Sequence, residues 1–444
     1  MSDEHDPAIT GCYGHPYIRT PNIDQLSANG TVFENAYCNS PICLPSRMSF
    51  LTGQYVHEIN AWDNGAVLSD KIQTMGDYFT AENYETVLCG RMHIKGKDRN
   101  RGFDRRLLDD MERWVNHKAP ERTRGAQRGT NSHVSNCGPD GNPAWLDYDL
   151  AATELSEQFL REKSISQNDK PWLLITGFMY PHFPLYCPEE YFNNYYPDRV
   201  VLPEIDGYPI QKQHPIVQQM RFAFRNDQQL PKNLVRKALA SYYGLVELTD
   251  HHIGRMLQII EQSQLSKNTI VIYTSDHGEM RGMHGVWQKQ LFYESAAKVP
   301  LVIKVPGSQE KRSTSLVSLV DLLPTLLSLI GGSIPTELSG RDISCEIIGA
   351  ESADSEIVFS EYHAQGMMSA GYMVRMGKYK FCYYIDHPPQ LFDLSKDPFE
   401  VDDLAGNPLY DEVKAELQKV LFNIVNPGQV DENAKHDQKK RMDH

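Results

Sequence analysis

The apolar positions of this chain fall into short runs set apart by mixed stretches. Residues 85–89, 172–178, 269–274 and 301–305 are such runs, most of them ending at polar turns, and residues 31–38 read as a further strand. Between the runs, apolar residues recur at helical spacing. Over residues 232–264, Leu234, Leu239, Tyr242, Val246, Ile253, Leu257 and Ile260 mark one face of a long amphipathic helix. Thr20 as N-cap, Pro21 at the first helical position and Gly30 as the stop predict a shorter helix before the strand at residue 31. This alternation predicts an α/β fold with a mainly parallel, helix-covered sheet, whose ligands gather beyond the carboxyl ends of its strands.

The pattern changes after about residue 345. Residues 372–375, 377–381 and 390–393 read as short antiparallel strands closed by a helix at 410–425, and the tail from Asp431 is polar and expected to be loose. The chain therefore divides into a larger domain over residues 1–345 and a smaller C-terminal α+β subdomain over residues 346–444. There is no internal repeat. A sheet of this kind opens with a buried apolar strand, yet Met1-Ser2-Asp3-Glu4-His5 is already polar. The first strand is expected to be missing, with Met1 standing at its end. The compartment stays open between periplasm and cytoplasm.

Charge and cysteines narrow the function class. A formal charge of −14 excludes a general nucleic-acid binder, which needs a basic surface. Against that background residues 91–128 hold twelve Lys/Arg and six acids, 12 − 6 = +6, a stretch expected to form a wall that attracts an anionic substrate. The eight cysteines are scattered with no C-x-x-C pair, which is neither a disulfide framework nor a zinc site. No apolar stretch is long enough to span a membrane, and oligomeric state is not readable.

One cysteine stands apart. In Cys43-Leu44-Pro45-Ser46-Arg47, followed by Met48-Ser49-Phe50-Leu51-Thr52-Gly53, the cysteine sits at the mouth of a short helix, with Pro45 in its first turn and Gly53 as its stop. Free N–H groups and the positive end of the helix favour an anion beside Cys43, and Arg47 adds a cation with forked donors. A bare thiolate there would be a nucleophile.

The run resembles the C-x-P-S-R-x-x-x-L-T-G signature of the type I, formylglycine-dependent sulfatases of the alkaline-phosphatase superfamily, in which the cysteine is oxidised after translation to formylglycine. Further segments carry the resemblance: Asp3-Glu4 near the start, Gly90-Arg91-Met92-His93, Tyr180-Pro181-His182-Phe183-Pro184, Asp276-His277-Gly278, Gly285-Val286-Trp287-Gln288-Lys289, and Gln390-Leu391-Phe392-Asp393 with Asp397-Pro398. Glu4 stands where the family has a second Asp, and Arg91 where it has Lys. Ala61-Trp62-Asp63-Asn64 leans toward the choline-sulfatase-like branch.

The resemblance implies a divalent metal, Ca²⁺ or Mg²⁺, held by Asp3, Glu4, Asp276, His277 and the formylglycine made from Cys43. It implies that the hydrated aldehyde at residue 43 attacks sulfur, that His182 or His93 assists the departing alcohol, that His93 regenerates the aldehyde, and that Arg47, Arg91 and Lys289 hold the charge. The implied partners are a formylglycine-generating enzyme and a sulfated small molecule or oligosaccharide. The basic stretch favours a carbohydrate sulfate over choline sulfate, whose quaternary cation such a wall would repel. The alternatives are a phosphonate or phosphodiester hydrolase of the same superfamily and an inactive relative that binds sulfated glycans.

Overall fold

The computed structural model describes residues 1–111, 132–139, 143–166, 170–203, 209–349 and 357–442. Its strands are β1 Thr31–Tyr37, β2 Glu85–Gly90, β3 Arg105–Leu108, β4 Cys137–Gly138, β5 Trp172–Gly177, β6 Leu185–Tyr186, β7 Val271–Thr274, β8 Leu301–Lys304, β9 Lys311–Ser318, β10 Ile357–Tyr362, β11 Gly371–Met376, β12 Tyr379–Tyr384 and β13 Gln390–Asp393. The strands β3-β2-β5 are parallel neighbours, and a second set runs β7-β8-β1-β9.

Residues 1–3 join the two sets. Ser2 bridges Ser275 and Asp3 bridges Pro181, both in parallel, while the Met1 amine donates to Thr176 O at 2.8 Å and Ser2 N to Thr274 O at 3.0 Å. The result is the α/β, mainly parallel sheet that the pattern predicts. One strand departs from it: β8 runs antiparallel to both β7 and β1. Nothing in its apolar run encodes direction, because a strand buried on both faces looks the same either way. Beside Met1 the facing edges of β5 and β7 bound an apolar cavity of about 240 Å³, with Ile175, Ile272 and Leu326 among its lining.

Helices cover both faces. The helix Lys232–Glu261 buries Leu239, Tyr242, Val246 and Ile253 along the expected stripe and packs on the helix Pro143–Ile165. The strands β10 to β13 form a four-stranded antiparallel meander, covered by the helix Asp411–Ile424 through Leu417 and Leu421. The tail expected to be loose is instead the helix Pro427–Met442. Few of its positions are apolar, so the pattern carries no stripe, and polar groups anchor it: Asp431 accepts from Ala370 N at 2.9 Å and Gln438 donates to His363 O at 2.6 Å. Among the described residues no helix is long and apolar enough to cross a membrane, and none of the eight cysteines is disulfide-bonded.

The carboxyl ends of β2 and β5 meet at paired glycines, Gly90 opposite Gly177. A methyl group built on Gly177 would lie 1.8 Å from the Arg91 carbonyl oxygen, and Gly90 has φ +84°. Only glycine allows the backbones to approach this closely. Gly177→Ala should therefore cost about 1–3 kcal/mol of stability by overpacking, read as a lower urea midpoint. Gly406→Ala, whose added methyl meets nothing within 4 Å, should leave the midpoint unchanged; equal midpoints for the two variants would contradict the close approach.

Candidate active site

Every site residue singled out in the sequence lies just past a strand end or on the loop and helix facing it, and all are buried. Cys43 opens the helix Cys43–Thr52, which stops at Gly53 with φ +65° and a Gly53 N to Ser49 O bond of 2.9 Å. Ile42 at the N-cap has no side-chain acceptor. The Leu44 N–H is capped from outside by Asn64 Oδ1 at 3.0 Å.

Three potential ligand groups, from Asp3, Asp276 and His277, converge around Cys43. Its Sγ lies 3.4 Å from His277 Nε2 and 3.9 Å from Asp3 Oδ1, and His277 Nε2 lies 3.6 Å from Asp276 Oδ2 and 3.9 Å from Asp3 Oδ1. His277 Nδ1 faces the Gly278 carbonyl at 3.0 Å, where only an N–H fits, so Nε2 turns a lone pair toward the two carboxylates. The Cys43 S–H can serve the imidazole lone pair or Asp3 Oδ1 but not both, and Asp276 Oδ2 accepts from Arg47 Nε, so the acceptors here outnumber the protons aimed at them. This arrangement fits a bound cation, and one ligand atom from each of the four residues lies within 4.8 Å of the others.

Cations frame the cluster. Arg47 donates from Nε to Asp276 Oδ2 at 2.8 Å, from Nη2 to Asp3 Oδ2 at 3.0 Å and from Nη1 to the Arg91 carbonyl at 2.8 Å. Arg91 Nε also donates to Asp3 Oδ2. Burial acts to raise the Asp3 carboxyl, but the guanidiniums of Arg91 and Arg47 hold it well below its usual range. Cys43 moves the other way. Burial, and then Asp3, push its thiol up against the pull of Lys289 and Arg91, so the bare thiolate suggested by the helix mouth is not the resting form.

Glu4, expected among the metal ligands, has its carboxylate in a second group that could hold an ion and that shares Asp3 with the first. Its Oε2 lies 2.9 Å from Lys289 Nζ and 3.3 Å from His182 Nε2, and it groups with Asp3 and His182 rather than with Cys43, Asp276 and His277. Its backbone N–H donates to Asp276 Oδ1 at 3.0 Å. Lys289 Nζ also lies 2.8 Å from His182 Nε2, while His182 Nδ1 faces the Phe183 carbonyl at 2.6 Å. His182 is thus neutral, with Nδ1–H donating and Nε2 accepting from the ammonium. Burial and Lys289 hold its pKa well below the usual histidine value. The pKa of Lys289 is raised despite its burial, since its ammonium sits among acidic groups, Glu4 and Asp3 among them.

His93 sits on a turn that its own backbone anchors. Met92 N and His93 N donate to Asp110 Oδ1 at 3.0 and 2.8 Å, and Ile94 N to Asp110 Oδ2 at 3.0 Å, which supports the φ of +60° at His93. Asp149 does the same for the loop that carries His182, accepting from Met179 N at 2.7 Å and Tyr180 N at 3.0 Å. Sequence reasoning missed the anchoring roles of Asp110 and Asp149, and singled out Asn64 only as part of a branch-specific segment, not as a cap. Their partners are backbone amides, which leave no residue pattern to read.

The basic stretch does not form the expected wall over its described part. Arg99 pairs with Asp109, Arg101 with Asp70, Arg105 with Glu85 and Arg106 with Asp110. Arg101 is buried, and Arg105 lies on β3 beside Val87, in the middle of β2 and short of the strand end that carries the site. Arg113, Lys118, Arg122, Arg124 and Arg128 lie outside the described residues.

Comparison with known proteins agrees with this geometry. The family model "Sulfatase" matches residues 1–332 and "N-sulphoglucosamine sulphohydrolase, C-terminal" matches residues 282–426. A choline-sulfatase of Rhizobium meliloti (strain 1021) is 29% identical over 405 residues, 88% of this chain and 78% of the relative. An ulvan-active sulfatase of Formosa agariphila is 29% identical over 446 residues, 96% of this chain and 80% of the relative. The crystal structure of a phosphonate monoester hydrolase of Agrobacterium radiobacter shares the fold with a TM-score of 0.78 at 23% identity, covering 95% of this chain and 94% of that one. The chain belongs to the sulfatase family of the alkaline-phosphatase superfamily and is a sulfuric ester hydrolase.

Proposed function

We propose that this enzyme hydrolyses the sulfate ester of a carbohydrate, with residue 43 as formylglycine and a divalent metal, Ca²⁺ or alternatively Mg²⁺, held by Asp3, Asp276, His277 and residue 43. The observation that carries the reading is the convergence of two carboxylates and an imidazole lone pair on Cys43, ringed by Arg47, Arg91 and Lys289. A thiol is a soft donor that suits Ca²⁺ poorly; an oxygen at residue 43 makes the set hard apart from one imidazole. The metal would neutralise charge and lower the pKa of the attacking hydroxyl, which the hydrated aldehyde supplies.

The side chains divide the remaining work. Arg91 and Lys289 bind the sulfate oxygens, where negative charge must be held through the reaction. Arg47, wholly engaged with Asp3, Asp276 and the Arg91 carbonyl, keeps the ligands in place. Lys289 donates to His182 Nε2, so the pair can hold a proton beside the leaving alcohol. His93, on the turn anchored by Asp110, is the base assigned to the second half of the reaction. Glu4, whose carboxyl is pushed by burial well above its usual range against the pull of Lys289, accepts from the Lys289 ammonium until substrate arrives.

The carbohydrate assignment rests on charge close to the site rather than on the paired arginines. Lys95, two residues past His93, has its pKa pulled down to about 8 by burial, and Asp63 and Arg441 lie near it. Arg441 donates to both Asp63 oxygens, at 2.9 and 2.6 Å, so the carboxylate that a quaternary ammonium would seek is already neutralised. The resulting balance is positive and suits a neutral or anionic alcohol.

Peptide mass analysis should find residue 43 about 18 Da lighter than cysteine, and Cys43→Ala should lose more than about a thousandfold in kcat while folding normally. Full turnover with an intact thiol would defeat the mechanism. Exhaustive chelation should abolish activity and Ca²⁺ should restore it, whereas Asp276→Ala should bind no metal by elemental analysis; activity in demonstrably metal-free enzyme would rule out the assignment. Between substrates, a sulfated monosaccharide should exceed choline sulfate by at least about tenfold in kcat/KM, and an aryl phosphonate should be the poorer substrate beside an aryl sulfate. Preference for choline sulfate would overturn the carbohydrate reading and leave the chemistry intact.

A further inference from the structure

The helix Pro427–Met442 is bound to the body of the protein mainly by polar groups, and several of them converge on the turn at residues 61–65. Trp62 Nε1 donates to Asp437 Oδ2 at 3.0 Å, Gln438 Nε2 donates to Asp63 Oδ2 at 2.9 Å, and Arg441 forks onto both oxygens of Asp63. Asp63 is fully buried, and its Oδ1 also accepts from Gly65 N at 2.7 Å. A buried carboxylate held by a bidentate guanidinium, an amide and a backbone N–H has one geometry available to it. The residue between Asp63 and Gly65 is Asn64, whose Oδ1 caps the Leu44 amide next to Cys43.

We propose that the C-terminal helix acts on the nucleophile: Gln438 and Arg441 fix Asp63, the turn at Asp63 presents Asn64 to the Leu44 N–H, and this capped amide sets where residue 43 enters its helix. Asp63, Gln438 and Arg441 are positioning residues; none touches the reacting atoms. The need is visible at Ile42, an N-cap with no acceptor of its own. Without Asn64 the first turn of the Cys43 helix would carry a buried, unpaired N–H, at a cost that favours fraying at the residue that must be held still. The inference rests on the reading of residue 43 as nucleophile for its kinetic consequence, but its structural half does not.

Two readouts keep these apart. Hydrogen exchange followed by mass spectrometry on Arg441→Gln should show faster exchange in the peptide spanning residues 42–46, with peptides of β2 and β7 unchanged. In the same variant kcat per modified residue 43 should fall about tenfold, the usual scale for a positioning partner, with KM within about twofold. Arg441→Lys should recover part of the loss. Gln438→Met should act in the same direction and serves if Arg441→Gln folds poorly. Asn64→Ala should lower kcat at least as much, and the double variant Asn64→Ala/Arg441→Gln should lose no more than Asn64→Ala alone. Unchanged exchange at residues 42–46, exchange raised uniformly across the protein, or losses that multiply in the double variant would each overturn the proposal. A wild-type protein without sulfatase activity would instead refute the function, and the exchange result would still decide this one.

Discussion

Arg47 is the contact on which the site depends. Two carboxyl groups, Asp3 and Asp276, lie close together in the buried interior, where repulsion between like charges is strongest. One fully buried guanidinium spans them, and its third donor direction takes the carbonyl of Arg91. A lysine could not replace it, since a single ammonium cannot reach three acceptors in fixed directions. Removing either partner would leave an uncompensated buried charge, which costs several times the net worth of the pair. Arg47 sits one helical turn after Cys43, so the same short helix delivers the nucleophile and the clamp.

A second device recurs around the clamp. Asp110 holds the turn of His93, Asp149 the loop of His182, Asp276 the amide of Glu4, and Glu279 accepts from Arg281 N and Gln288 N at 2.9 and 2.6 Å just before Lys289. Each loop leaving a strand end has amides with no ladder partner, and a buried carboxylate satisfies two or three of them at once. Part of the chain's acidic excess is therefore internal. It stabilises loops that bear cations, and the −14 of the whole chain is not only a property of its surface.

This division explains what could be read from the sequence. Cys43 to Arg47, Asp276-His277 and the Pro-His-x-Pro segment were legible because their geometry is local: a helix mouth, a strand end, a turn. Strand positions were legible from apolar runs, but the direction of β8 was not, since a doubly buried strand has no pattern that marks it. The helix Pro427–Met442 was hidden because polar ties to distant residues, not an apolar stripe, hold it. The run from Arg91 suggested a wall because its basic residues outnumber its acids; Asp109 and Asp110 neutralise Arg99 and Arg106 within the run, while Asp70 and Glu85, the partners of Arg101 and Arg105, lie upstream and meet them only in the fold. The place of Glu4 among the acids of the site was legible from its position beside Asp3; its pairing with Lys289, 285 residues away, has no local signal.

The antiparallel sheet is part of the same construction. The loop from Cys38 to Ile42 lies between β1 and the Cys43 helix, and its polar groups need partners that neither element offers. Asn39 supplies most of them: its Nδ2 donates to Phe359 O at 3.0 Å, its carbonyl accepts from Glu361 N at 2.9 Å, and its Oδ1 accepts from Val320 N at 3.2 Å. Phe359 and Glu361 belong to β10, so the first strand of the C-terminal sheet pairs with the loop that precedes the nucleophile. The C-terminal helix meets the nucleophile's other side through Asp63 and Asn64. The segment before the nucleophile is thus held on one side by the catalytic sheet, through Ala297 and Gln290, and on the other by β10, whose Phe359 packs in the buried apolar face with Tyr372 and Leu391.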